Sequence, residues 1–188
     1  IDIQEGWVTM PNGRKVYIDD KGSAHTGKDA IVKSKIDESL ANVPKEHKKN
    51  VKIKIAPEGT PIVNGGVLTT ASAEYVAESD TIFVYGDTNI DSNTMVHEVG
   101  HHVFDKKLSV YARNEWNDNS PHSLMNQGKL TGVGKMPSDK VWPNSLTKYG
   151  QSNKWEDFSE SYRLYYNGQK NNLLDDGRLG FFKKYVDK

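Results

Sequence analysis

Residues 95–104 read MVHEVGHHVF. Two histidines, His97 and His101, stand four apart, and Glu98 follows the first. On an α-helix, positions i and i+4 project from one face, a turn apart. Imidazoles so placed can each aim a ring nitrogen at one ion. Glu98 falls about 100° round the axis, beside that ion, where a carboxylate can take a proton from a water that the ion polarises. Two imidazoles and a carboxylate with one position open suit zinc, one Zn(2+) per chain. The chain has no cysteine, which removes thiolate ligands, disulfides and cysteine nucleophiles. Gly100, inside the same helix, costs about 1 kcal/mol relative to alanine. Its place near the histidine face predicts that another segment approaches closely there.

A third ligand must come from elsewhere. A histidine six residues after His101 would complete an HExxHxxGxxH pattern, but Lys107 stands there. Asp105 lies four residues after His101, on the same face of a regular helix. His122 sits in an irregular middle stretch. Glu156 and Glu160 lie a turn apart in KWEDFSESYRLYYNG, residues 154–168. A helix there can cross the first and bring one carboxylate to the ion, while the other binds the second nitrogen of a ligating histidine. Spacing leaves the choice among these open. His102 points off the ligand face and reads as a surface or supporting residue.

The elements that must position these groups are legible in part. WVTMPNGRKVYI reads as two strands around Asn12-Gly13. A capping pair of Thr26 and Asp29 opens a helix from Gly27 to about Asn42, with Ile31 or Val32, Ile36 and Leu40 inward and Pro44 beyond its end. In VKIKIA, residues 51–56, Val51, Ile53 and Ile55 alternate with lysines, which predicts a half-buried strand. GVLTTASAEYV is one strand or a strand and a turn. TIFVYG, residues 81–86, is a short strand of β-branched and aromatic residues. Asp91 or Ser92 caps the HExxH helix. Residues 109–145 are rich in Asn, Gly, Ser and Pro, with room for short helical turns. The 154–168 segment is a helix with Trp155, Phe158, Tyr162 and Tyr165 on one stripe, stopped at Gly168. A last helix turns Phe181, Phe182, Tyr185 and Val186 inward. The expected fold is α+β in one domain. A small mixed sheet with a packed helix forms an N-terminal lobe (about 1–90). An active-site helix follows (about 92–105), then a mainly helical C-terminal lobe (about 106–188).

HEVGHHVFD and LTKYGQSNKWEDFSESYRLYY resemble the catalytic domain of anthrax lethal factor and its relatives, which include the secreted Pro-Pro endopeptidases. About a third of the chain carries the likeness, and the second block, with its Tyr-Gly pair and ExxxExxR helix, is the more specific. The resemblance implies a zinc endopeptidase. It implies that His97, His101 and Glu156 hold the metal, that Glu98 is the general base, that Glu160 supports a ligand from behind, and that Tyr149 supports the oxyanion. His102 and the long stretch from His101 to Tyr149 depart from the family pattern, and the length of that stretch leaves open whether the preference for Pro-Pro bonds carries over. Residues 110–145 become candidates for a lid or specificity wall.

With 25 basic and 25 acidic residues the formal charge is zero, which argues against nucleic acid as partner. No stretch is long and apolar enough to span a membrane. The expected partner is an extended peptide or protein substrate, bound by a monomer. It would pair with a strand edge from GGVLTTAS or TIFVYG, with Trp116 and Trp142 as candidate pocket walls. The resemblance points to export. The opening GWVTMPNGRKVYIDDKG is similar to segments of phage-associated proteins, which keeps a phage-associated or cytoplasmic setting open. Other expectations compatible with the motif are a cell-wall amidase and an inactive metal-binding interaction domain.

Overall fold

The computed structural model describes residues 6–9, 15–18, 24–25, 28–56, 62–64, 67–69, 71–86, 89–120, 147, 150–168 and 174–188. His122, Trp142, Tyr149, Thr26 and the Asn12-Gly13 turn lie outside them.

The architecture is mixed α+β. Strands β1 (Gly6–Thr9), β2 (Lys15–Ile18) and β3 (Ala24–His25) form an antiparallel sheet. Helix α1 (Lys28–Ser39) and the single turn α2 (Lys45–Lys48) follow. Strand β4 (Lys52–Ala56) precedes a hairpin of β5 (Ile62–Asn64) and β6 (Val67–Thr69). Strands β7 (Ala73–Val76) and β8 (Thr81–Tyr85) complete a three-stranded mixed sheet in the order β4-β8-β7. The segment GVLTTASAEYV is therefore two strands, and the front half divides among three small sheets. Helices α3 (Ser92–His102), α4 (Val110–Asn119), α5 (Lys154–Tyr166) and α6 (Asp176–Phe181) make up the rest. Residues 103–107 and 182–186 continue α3 and α6 as π turns.

The sheet's centre is β8, parallel to β4 and antiparallel to β7. Its Ile82 and Val84 are fully buried, as alternation on a covered face requires. Ile55, next to the last residue of β4, is 38% exposed and departs from the expected inward alternation, while Ile53 packs against the core. On α1 the inward stripe is Val32 and Ile36, continued by Leu40 just past its end, while Ile31 is 58% exposed.

Asp91 caps α3, its carboxylate accepting from the Thr94 N–H at 2.9 Å and the Thr94 hydroxyl at 3.1 Å. Met95, Val96, Val99 and Val103 form its buried stripe. Asn153 caps α5 by accepting from the N–H groups of Trp155 and Glu156, both at 3.0 Å. The two helices cross at Gly100. A Cβ there would lie 2.9 Å from the Ser159 Cα and 3.2 Å from the Tyr162 Cβ. The crossing thus requires the missing side chain, which offsets its cost to the helix. Phe158 and Tyr162 enter the core from α5, but Trp155 is 49% exposed and leaves that stripe. Phe181, Phe182 and Val186 are buried as their spacing predicts. Trp116 is also fully buried, edge-on to Phe158 and Phe181, its indole donating to the Lys154 carbonyl at 3.1 Å. It is a core residue and not a pocket wall.

Candidate metal centre

The crossing of α3 and α5 at Gly100 brings three side chains together. His97, His101 and Glu156 each offer a ligand atom, and these atoms lie within 4.8 Å of one another. Glu156 Oε2 is 3.0 Å from His97 Nε2 and 3.5 Å from His101 Nε2. Ligands at zinc–donor distances of about 2.0–2.2 Å around a tetrahedral ion stand roughly 3.3 Å apart, so these separations fit one ion. Glu156 Oε2 is buried, yet no donor meets it with hydrogen-bond geometry. A buried carboxylate oxygen without a bond is costly, and a cation shared with the two rings would satisfy it. Donor number, donor type and spacing all fit a single metal ion.

The far side of His97 is held too. Its Nδ1 is 2.8 Å from Glu160 Oε1. Glu160 in turn accepts from Arg163 through two parallel bonds, Nε to Oε1 and Nη2 to Oε2, both 3.0 Å. Arg163 Nη1 reaches Asn93 Oδ1 at 3.1 Å, which ties α5 to the first turn of α3. Nδ1 donating to a carboxylate makes Nε2 the nitrogen that would present a lone pair to an ion, an arrangement that orients metal-ligating histidines and raises their basicity.

The electrostatics ask for a cation. Burial opposes a charged His97, but the Glu156 and Glu160 carboxylates outweigh it and push its pKa up to about 9. Burial likewise opposes an ionised Glu156, and the His101 and His97 rings hold it down to about 2. Glu160 is also held to about 2 against burial, by His97, Arg163 and Thr147. Glu98 goes the other way. Its burial raises its pKa despite the neighbouring His101 and His97, which suits a group that must accept a proton and give it back.

Glu98 and His97 open onto a cleft of about 540 Å³, lined also by Ala71, Ser72, Ala73, Asn93, Thr94, Glu160 and Arg163. One wall is the end of β7, which among the described residues pairs only with β8. The Tyr85 N–H donates to the Ser72 carbonyl at 2.9 Å. Alternation then turns the backbone groups of Ala73 and Tyr75 away from β8, onto the open edge. On that edge the Tyr75 backbone faces the Glu98 carboxylate and favours its charged form. Of the two strand edges expected from the sequence, TIFVYG is excluded, since β8 has neighbours on both sides, and the edge beside the cleft is β7, which begins just after GGVLTTAS; only Ala71 and Ser72 of that segment line the cleft.

Asp105 does not join the cluster. It lies in the π turn, where the Leu108 N–H bonds to the Val103 carbonyl at 3.0 Å, and the wider turn takes it out of phase with His101. His102 is not a surface residue: it is 1% exposed, with Nδ1 2.6 Å from Asp80 Oδ1. Sequence reasoning missed Tyr75, Asp80 and Asn93, which no motif marks. Among the described residues no helix is long and apolar enough to cross a membrane. No protein-family model matches this chain, and no curated protein matches it either.

Proposed function

We propose that this chain is a zinc-dependent endopeptidase of the lethal-factor type. The observation that carries the reading is the convergence of His97, His101 and Glu156, with His97 and Glu98 opening onto a cleft that Ala73 of the β7 edge strand also lines. His97, His101 and Glu156 would hold the ion. When bound, it supplies a Lewis acid that polarises water and the scissile carbonyl.

The chain's own residues do the rest. An extended peptide pairs with the backbone of β7 near Ala73, which holds it without reading its side chains. Glu98, raised by burial and steadied by the Tyr75 backbone, takes a proton from the attacking water and passes it to the leaving amine. Glu160 and Arg163 keep His97 oriented. By the resemblance, the Tyr149 hydroxyl donates to the oxygen on which charge develops. In this reading the sheets of the first half and the helices of the second flank the active-site helix as two lobes.

The test is digestion of a broad peptide library, read by mass spectrometry, by the parent and by Glu98→Ala, with zinc measured on both. We expect one zinc in each. Cuts should be made by the parent only and stopped by chelator, with the variant down about 10²–10⁴-fold. Zinc in both proteins with no cut by either would favour a non-proteolytic metal-binding domain. A parent without stoichiometric metal would remove the centre itself.

A further inference from the structure

We propose that Tyr75 is a positioning residue for the metal centre, locked by Asp80 and His102, and that it sets both the His101 ring and the Glu98 carboxylate. The inference rests on the metal-centre reading above. Three contacts converge on this side chain and its backbone. The ring lies parallel to the His101 imidazole, 7° between planes and 6.4 Å between centroids. Its own backbone faces the Glu98 carboxylate and favours the charged form. The hydroxyl donates to Asp80 Oδ1 at 2.8 Å.

Asp80 is a built anchor. It closes the four-residue loop between β7 and β8 in a left-handed conformation, φ +50°, where Asp is tolerated better than most residues. Its carbonyl accepts from the Lys52 N–H at 3.0 Å, which fastens the loop to β4. The same carboxylate oxygen that receives the Tyr75 hydroxyl is 2.6 Å from His102 Nδ1. His102 is buried, on α3 next to His101, and its ring also meets Tyr75 edge-on at 6.1 Å. A closed circuit results: α3 carries His101 and His102, His102 grips Asp80, Asp80 grips Tyr75, and Tyr75 returns to His101 and Glu98. Glu160 fixes His97 from the α5 side; this circuit fixes His101 from the sheet side. Without it, the ring of His101 has no described hydrogen bond of its own to orient it apart from its approach to Glu156.

Tyr75→Phe deletes the hydroxyl and keeps ring and backbone. Asp80→Asn keeps an acceptor and drops the charge. Tyr185→Phe is the control, since its hydroxyl bonds Glu115 at the surface. Zinc affinity by chelator competition, the visible spectrum of the cobalt-substituted proteins, and the His101 ring-nitrogen NMR shifts of the metal-free proteins are measured together. We expect affinity to fall about tenfold in Tyr75→Phe and in Asp80→Asn, as for other outer partners of metal ligands. The cobalt spectrum should change in both, and the double variant should be no worse than the worse single one. Tyr185→Phe should match the parent throughout. Tyr75→Phe with parental affinity, cobalt spectrum and ring shifts overturns the proposal. If the parent binds no metal, the endopeptidase reading falls. The metal-free shifts then decide this one alone: moved His101 signals in Tyr75→Phe support it, and unmoved signals overturn it.

Discussion

His97 and His47 are buried to nearly the same degree, 7% and 9% exposed, and each has a polar atom within 3.0 Å of both ring nitrogens. His97 sits between two carboxylates. His47 sits between the Tyr162 hydroxyl, 2.8 Å from Nδ1, and the Val186 carbonyl, 3.0 Å from Nε2. A carbonyl only accepts, so His47 Nε2 carries the hydrogen and Nδ1 accepts from the tyrosine. The two rings answer a proton in opposite directions. Burial lowers His47, and the Val186 carbonyl and Asp187 do not reverse it; the carboxylates raise His97 to about 9. The comparison separates a ring used as a neutral bridge between elements from a ring placed where positive charge is wanted. Burial does not tell them apart; the charge of the partners does.

Exchanging the fate of the two residues gives the largest effect. His97→Ala should cost at least a hundredfold in zinc affinity, about 2.7 kcal/mol, and leave no stoichiometric metal after dialysis. His47→Ala should keep the metal and instead lose about 2 kcal/mol or more of folding stability, because it strands a buried hydroxyl and a buried carbonyl. Chelator competition and urea unfolding of both variants separate the outcomes. Loss of zinc in His47→Ala, or its retention in His97→Ala, would break the comparison.

Glu160→Gln tests the same contrast more finely. The amide still offers an oxygen to His97 Nδ1, but the charge that favours a cation is gone and Arg163 loses its paired carboxylate. Zinc affinity should drop about 10- to 100-fold with Glu156 and both histidines intact. Isothermal titration with zinc measures it. An unchanged affinity would mean that Glu160 only packs against the ring.

That contrast marks how much of the centre could be read before the fold. The i,i+4 histidines with Glu98, and a pair of glutamates a turn apart on a later helix, are local patterns, and the structure brings His97, His101, Glu156 and Glu160 together. Which glutamate faces the ion depends on how α5 crosses α3, and that is set by tertiary contacts at Gly100, Ser159 and Tyr162, so spacing left it open. The α3 cap and one strand were legible for the same local reason: Asp91 caps α3 and TIFVYG is a strand, though the centre of its sheet and not an edge. The missed residues depend on long-range placement. Tyr75 matters because β7 is an edge strand laid beside α3, and nothing in AEYV distinguishes it from the other tyrosines. The surface reading of His102 failed because Asp80, 22 residues earlier, lies over it. Trp155 and Trp116 exchanged roles, since helix periodicity cannot say which neighbouring element covers a given flank.

The Gly100 crossing links both histidines, and a methyl group placed there probes them together. Ser159 precedes Glu160, and Tyr162 is the partner of His47. Gly100→Ala gains about 1 kcal/mol of helix propensity. It also places a Cβ 2.9 Å from a backbone atom, an overpacking that costs about 1–3 kcal/mol. A net loss of about 1 kcal/mol in urea unfolding is expected, with a smaller fall in zinc affinity as Glu156 moves with α5. A net gain in stability would show that the helices can separate freely.

The smallest effect is in pH, and it reads both rings in one experiment. His97 in the metal-free protein has a folded pKa of about 9, above the ordinary 6.5. Its contribution to stability is therefore complete below about pH 6.5 and is lost as pH rises through about 9. His47 has the opposite sign. Its folded pKa lies below 6.5, so its contribution is complete above about 6.5 and is lost as pH falls below that value. In chelator, the thermal midpoint should decline on both flanks. Zinc takes the place of the His97 proton, so the decline above pH 6.5 should vanish in the loaded protein, and the stabilisation by zinc should grow with pH. His47→Gln should flatten the decline between about pH 6.5 and 4.5, above the range in which Glu156 and Glu160 take up protons, and leave the alkaline flank. Parallel curves with and without zinc above pH 6.5 would show that the proton and the metal do not compete for the same ring, and the cation-seeking character assigned to His97 would be wrong.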